Sequence, residues 1–166
     1  AEAGGFDVNE NIFGAGLFGS LINLPIVNYY EHATYLTGNH AHAAMFGVKG
    51  NIALGGMLFC AQHLFHKQDW NEKLVKTSFW SLQIGLLMMM FLDLFPVGLY
   101  QIWRVVTEGF WYARSTEVIE GPVFVTLTYL RSIGGFVFIF GGLLPLMRLV
   151  LSRGLRLRKE VDVETN

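Results

Sequence analysis

Apolar residues along this chain fall in long blocks, with short polar connections between them. A helix that crosses a bilayer needs about 20 mainly apolar residues. Four stretches reach that length: 12–30, 40–65, 78–103 and 132–151. The pattern predicts an all-α, polytopic membrane protein of four transmembrane helices with a tail at 152–166. The first stretch is interrupted by Asn23, Pro25 and Asn28. Residues 118–131 are apolar but precede Arg131, which places them at the interface before the fourth span begins. Residues 1–11 read as a polar loop. Glycines recur in the spans: Gly14, Gly16 and Gly19, then Gly47, Gly50, Gly55 and Gly56, then Gly134, Gly135, Gly141 and Gly142. Small residues let helices approach closely, and helix packing alone explains most of them.

Composition agrees with the pattern. Of 166 residues, 52% are hydrophobic and 15% charged, with 14 Phe, too apolar for a typical soluble domain. The net charge of −1 and the lack of a basic stripe interleaved with aromatics exclude a nucleic-acid partner. Cys60 is the one cysteine, so the chain has no disulfide framework, and its apolar surroundings predict a buried structural thiol.

Charge orients the spans. Lys67, Lys73 and Lys76 follow the second span, and Arg148, Arg153, Arg156, Arg158 and Lys159 lie at the end of the fourth span and in the tail. The opposite connections hold only Arg104, Arg114 and Arg131. The positive-inside rule then puts residues 66–77 and the C-terminus in the cytoplasm. The basic tail is an anchor against anionic lipid. Glu108, Glu117 and Glu120 face the other side, towards water or a partner subunit.

Within this frame one motif stands out, Asn39-His40-Ala41-His42 at the outer end of the second span. Each helical residue turns about 100°, so side chains two apart point about 200° away from each other. His40 and His42 therefore share a depth but not a face. They are placed to bind two separate metal centres rather than one, and inside a membrane that points to haem.

Other polar residues carry weaker signals. Lys49 and Asp93 are the charged residues deepest in the spans, and such residues are functional candidates. Counted from the outer ends of their spans each lies about 14–15 Å down, so an intramembrane Lys49–Asp93 ion pair is predicted. The alternatives are partners outside this chain, or a proton path at Lys49. Glu31 and His32 follow Tyr29 and Tyr30 near the depth of His40. Interfacial polarity behind an aromatic belt explains them as readily as a proton-handling role does. His63 and His66 have metal-pair spacing but no third ligand, and read as interfacial. Met88, Met89 and Met90 read as packing or lipid-facing residues, not as a copper site.

The run from Ile22 to Thr34 (INLPIVNYYEHAT), followed by Asn39 to Gly47 (NHAHAAMFG), resembles the bacterial nitric oxide reductase large subunit, a branch of the haem–copper oxidase superfamily. The run from Gly109 to Ser115 (GFWYARS) is similar to that reductase group rather than to the oxygen-reducing oxidases. The resemblance covers essentially the whole chain. It implies that the four spans are the last four of a twelve-helix core, so that residues 1–166 are a C-terminal fragment whose partners are the remaining helices. It implies that His40 is the axial ligand of a high-spin haem b and His42 that of a low-spin haem b. Glu31 and His32 would lie near haem propionates or a quinol site. The reaction implied joins two NO to give N2O and water, with electrons from a quinol or cytochrome c.

A non-haem iron would complete the catalytic centre with three histidines and a carboxylate that the family draws from earlier helices, which predicts that the isolated chain is inactive. Localisation in a bacterial inner membrane follows from the same resemblance. One departure is Gly135, where the family often carries an acidic residue, and this bears on the electron donor. An oxygen-reducing haem–copper oxidase and a non-enzymatic four-helix haem-binding membrane protein are the rival readings.

Overall fold

A computed structural model describes residues 16–65 and 70–164, with side chains through Arg156. The described residues are helical, with no strand among them. In chain order the helices are α1 (Phe18–Ile22), α2 (Pro25–Glu31), α3 (Tyr35–Leu64), α4 (Glu72–Glu108), α5 (Thr116–Ile119) and α6 (Pro122–Arg156). The backbone of α6 stays helical to Glu164. A 3₁₀ turn, Tyr112–Arg114, lies between α4 and α5. Three of these helices, α3, α4 and α6, are long and apolar enough to cross a membrane, at 30, 37 and 35 residues.

The first expected span differs. Its described part is broken into α1 and α2, and residues 12–15 lie outside the described residues. Pro25 has no backbone N–H and opens α2 as its first residue, so the helix cannot run through it. The Asn23 amide donates to the Gly19 carbonyl at 2.6 Å, and the Asn28 amide donates to the Ile22 carbonyl at 3.1 Å, satisfying groups that the break exposes. The fourth expected span also begins earlier than the position of Arg131 predicts. Pro122 starts α6, and residues 122–131 are already helical.

Local chemistry sets the ends of α3 and α4. The Thr34 hydroxyl accepts from Leu36 N–H at 3.2 Å, and the Gln101 carbonyl oxygen accepts from Tyr35 N–H at 2.8 Å, so two of the orphan donors of α3 are met. Asn71 caps α4 by accepting from Leu74 N–H at 3.1 Å, and Gly109 (φ 102°) ends it in a backbone region that favours glycine. Each long helix contains a widened stretch of π-helix: Ala43–Gly50, Met90–Leu94 and Val137–Leu143. The one in α4 immediately precedes Phe95-Pro96, where an ordinary turn would press the proline ring on a carbonyl.

Close contacts fix the register of the three long helices. Between α3 and α4, a Cβ placed on Gly98 would stand 2.6 Å from Leu36 N, and one on Gly38 would stand 3.7 Å from Leu94 Cδ2. Asn51 and Gln83 bond to each other further along. Between α4 and α6, a Cβ on Gly85 would stand 2.7 Å from Phe138 N, and one on Gly134 would stand 2.8 Å from Met89 N. Both pairs are antiparallel. The core between them includes Leu82, Leu86, Leu94 and Val97, all buried. Outer faces of α3 remain apolar and exposed at Met45, Ile52, Met57 and Phe59, suited to lipid or to further helices. Cys60 is exposed on the same helix, which corrects the expected buried thiol: hydropathy shows that a segment is apolar, not which face meets its neighbour.

Candidate functional site

His40 and His42 lie in the second turn of α3 and point to different neighbours. The His40 ring faces α1. A Cβ on Gly19 would stand 2.8 Å from His40 Cε1, and the Phe18 ring lies 6.2 Å away between centroids. Glycine at position 19 is what lets α1 approach this imidazole. The His42 ring faces α6, with its Nε2 3.0 Å from an Arg131 guanidinium nitrogen. The opposed faces expected from the two-residue spacing thus become two separate environments.

The protonation of His42 follows from its partners. Its Nδ1 lies 2.9 Å from the Gly38 carbonyl, which can only accept, so Nδ1 carries the hydrogen. Arg131 can only donate, so Nε2 presents its lone pair. This is the arrangement an axial metal ligand needs: one ring nitrogen held by a backbone carbonyl, the other available as a donor to a cation. An axial haem ligand requires only one such imidazole per iron, and His42 fits that requirement. His40, in a half-buried position walled by a glycine and an aromatic ring, offers a second imidazole on the other face. Among the described residues no three His, Cys, Asp or Glu side chains gather in a way that would hold a further metal ion.

Asp93 is completely buried and lies beside Arg131, with Oδ2 3.9 Å from Nη1. Among the described residues, neither carboxylate oxygen finds a hydrogen-bond donor. The expected Lys49–Asp93 pair is replaced by Arg131–Asp93, for a reason of register. The α3–α4 contacts put Asp93 level with about residue 41, so Lys49 lies about eight residues, or roughly 12 Å, deeper. Lys49 is exposed on α3. The α4–α6 contacts put Asp93 level with about residue 130, beside Arg131. His42, Asp93 and Arg131 therefore occupy one layer across three helices.

Glu31 and His32, adjacent in sequence, separate in space. Glu31 is buried, at 1% exposure, and its Oε1 accepts from the Thr37 hydroxyl at 2.5 Å. His32 is exposed, and its backbone carbonyl accepts from the Arg114 guanidinium. Arg114 also donates to the Phe110 carbonyl at 2.8 Å and covers the Phe110 ring, 3.6 Å from its centroid. Burial lowers the pKa of the Arg114 guanidinium below its usual value. His63 packs on Phe59 at 4.7 Å, while His66 lies outside the described residues.

A family model described as Cytochrome C and Quinol oxidase polypeptide I matches residues 9–137. The chain belongs to this family. The matched region contains both histidines, Asp93 and Arg131. Members of the cytochrome c and quinol oxidase polypeptide I family bind haem, and the chain is accordingly a haem–copper-oxidase-type membrane protein. It is also similar to a nitric oxide reductase subunit of Stutzerimonas stutzeri, at 28% identity over 134 residues. That alignment covers 77% of this chain and 27% of the relative, so the chain spans about a quarter of the relative's length.

Arg131 is the residue that reading the sequence missed. Its charge was visible, as a cation before an apolar block, but its bond to His42 depends on a register that no local pattern carries. The Asn51–Gln83 pair was hidden in the same way.

Proposed function

We propose that this chain is the C-terminal, haem-bearing part of a nitric oxide reductase catalytic subunit. In this reading His40 would hold a high-spin haem b and His42 a low-spin haem b. The observation that carries it is the divergence of the two imidazoles, with the His42 tautomer fixed by Gly38. The haems supply the redox chemistry that joins two NO, two electrons and two protons into N2O and water. The chain's own part is to hold two irons on opposite flanks of one helix turn, which keeps the electron path between them short. The non-haem iron ligands and the second axial ligand of the low-spin haem come from helices outside this chain, so the isolated chain is inactive.

The further helices also complete the membrane architecture, with residues 12–30, broken in their described part, as a first span and the exposed apolar face of α3 against its neighbours. In this reading the membrane is a bacterial inner membrane and the C-terminus is cytoplasmic, which the basic residues Lys67, Lys73, Lys76, Arg148, Arg153, Arg156, Arg158 and Lys159 support. Electrons arrive from a quinol or cytochrome c. In this reading Glu31, held by Thr37, and His32, whose carbonyl is held by Arg114, lie near haem propionates or a quinol site. Gly135, whose missing Cβ would meet nothing within 4 Å, stands where the resembled family often carries an acidic residue, which bears on the electron donor.

Similarity to a nitric oxide reductase favours NO over O2 as substrate. The test is gas consumption by the haem-loaded membrane complex with reduced quinol or cytochrome c. NO uptake with N2O release is the expected result. O2 uptake without NO turnover would assign the chain to an oxidase instead.

A further inference from the structure

The layer formed by His42, Asp93 and Arg131 contains more charge than holding an imidazole requires. Gly38 alone fixes the His42 ring. Arg131, 39% exposed, brings a guanidinium to the Nε2 side, and Asp93, fully buried on α4, brings a carboxylate to that guanidinium. Neither Asp93 oxygen has a hydrogen-bond donor among the described residues. A buried carboxylate with no donors is unusual, because leaving acceptors unmet in an apolar interior is costly. Arg131 has five N–H donors and gives one to His42, so it is the group equipped to meet those oxygens. Closing the 3.9 Å separation to a hydrogen bond needs a shift of about 1 Å.

We propose that Asp93 and Arg131 are a positioning pair that sets the electron affinity of the iron held by His42. This rests on the reading of His42 as an axial ligand. Whenever Nε2 is given to a metal, Arg131 loses that acceptor, and the vacant oxygens of Asp93 hold the guanidinium in the same layer. The site then carries a fixed cation and a fixed anion on two different helices. Ferric iron bears one more positive charge than ferrous iron. A nearby cation favours the reduced state and a nearby anion the oxidised state, and in an apolar interior neither is well screened. With both present the two influences offset. Removing either one leaves the other uncompensated.

The opposed signs make the test specific. In the haem-loaded membrane complex, the midpoint potential of the low-spin haem is measured by optical titration at neutral pH. Asp93→Asn should raise it, Arg131→Gln should lower it, and the double variant should return towards the original value. Arg131→Lys, which keeps the charge, should stay nearer the original than Arg131→Gln. A purely structural pair would shift both variants in one direction or broaden the low-spin spectrum in both. His42→Ala separates the two claims. If it abolishes the low-spin spectrum while neither charge variant moves the potential in its stated direction, the positioning role is wrong and ligation by His42 stands. If the low-spin spectrum survives in His42→Ala, both are overturned.

Discussion

Asn51 and Gln83 exchange hydrogen bonds across the α3–α4 interface, with Gln83 Nε2 donating to Asn51 Oδ1 at 2.8 Å and Asn51 Nδ2 donating to Gln83 Oε1 at 3.3 Å. The Asn51 amide also donates to the Gly47 carbonyl at 2.7 Å, inside the π-helical stretch, and Gln83 is 1% exposed. An amide in an apolar span finds no water, so each of these two groups is the other's partner. Gln83→Ala should destabilise the fold by about 1–2 kcal/mol. The double replacement Asn51→Leu with Gln83→Leu should cost less than the two single changes added together. A double-mutant cycle on unfolding in detergent micelles checks this, and strict additivity would mean that the pair has no coupling.

The α4–α6 contact is close enough to be sensitive to one methyl group. Gly85 meets Phe138 backbone and Gly134 meets Met89 backbone, each with a Cβ position inside 3 Å. Backbone cannot turn aside as a side chain can. Gly85→Ala and Gly134→Ala should each destabilise by about 1–3 kcal/mol. Gly55→Ala, whose Cβ would meet nothing within 4 Å of this chain, is the comparison. Equal melting temperatures for all three variants would show that the interface tolerates the added methyl groups.

Ala33, in the turn between α2 and α3, is held at φ 59°, a left-handed conformation that its Cβ disfavours. Ala33→Gly should stabilise the turn by about 0.5–1 kcal/mol after the added freedom of the unfolded chain is counted. Chemical denaturation in micelles reads the change, and a loss of stability would refute the strain.

Tyr112 lies in the connection between α4 and α5. Burial first, then a hydrogen bond to Glu117, pushes its hydroxyl above the ordinary 10.0. The folded state thus holds this proton more tightly than the unfolded chain does. Its contribution is complete below about pH 10 and is lost as pH rises through the higher folded value. Ultraviolet titration should show one tyrosinate forming late, and Tyr112→Phe should remove it. A normal titration in the original protein would contradict the account.

Much of this arrangement was legible in the sequence. The apolar blocks marked α3, α4 and α6 because a bilayer demands length and continuity, and the two-residue spacing of His40 and His42 dictated opposite faces. The first span was less readable: Asn23, Pro25 and Asn28 weakened its apolar pattern, but only the structure shows α1 and α2 as separate helices. Depth was the other limit. Counting from presumed span ends paired Lys49 with Asp93, whereas the Leu36–Gly98 contact shifts α4 by several residues against α3, and the Gly85–Phe138 and Gly134–Met89 contacts set Arg131 of α6 beside Asp93 instead. Periodicity places a residue on a face. Register between helices is set by contacts far apart in the chain, and Cys60, apolar in context yet exposed, shows the same limit.

The central claim is that His40 and His42 serve two different irons. The most direct measurement is the electron paramagnetic resonance spectrum of the haem-loaded membrane complex carrying His40→Ala or His42→Ala. The account predicts that His42→Ala removes the low-spin haem signal and keeps the high-spin haem, while His40→Ala does the reverse. Loss of the same signal in both variants, or of neither, would contradict it.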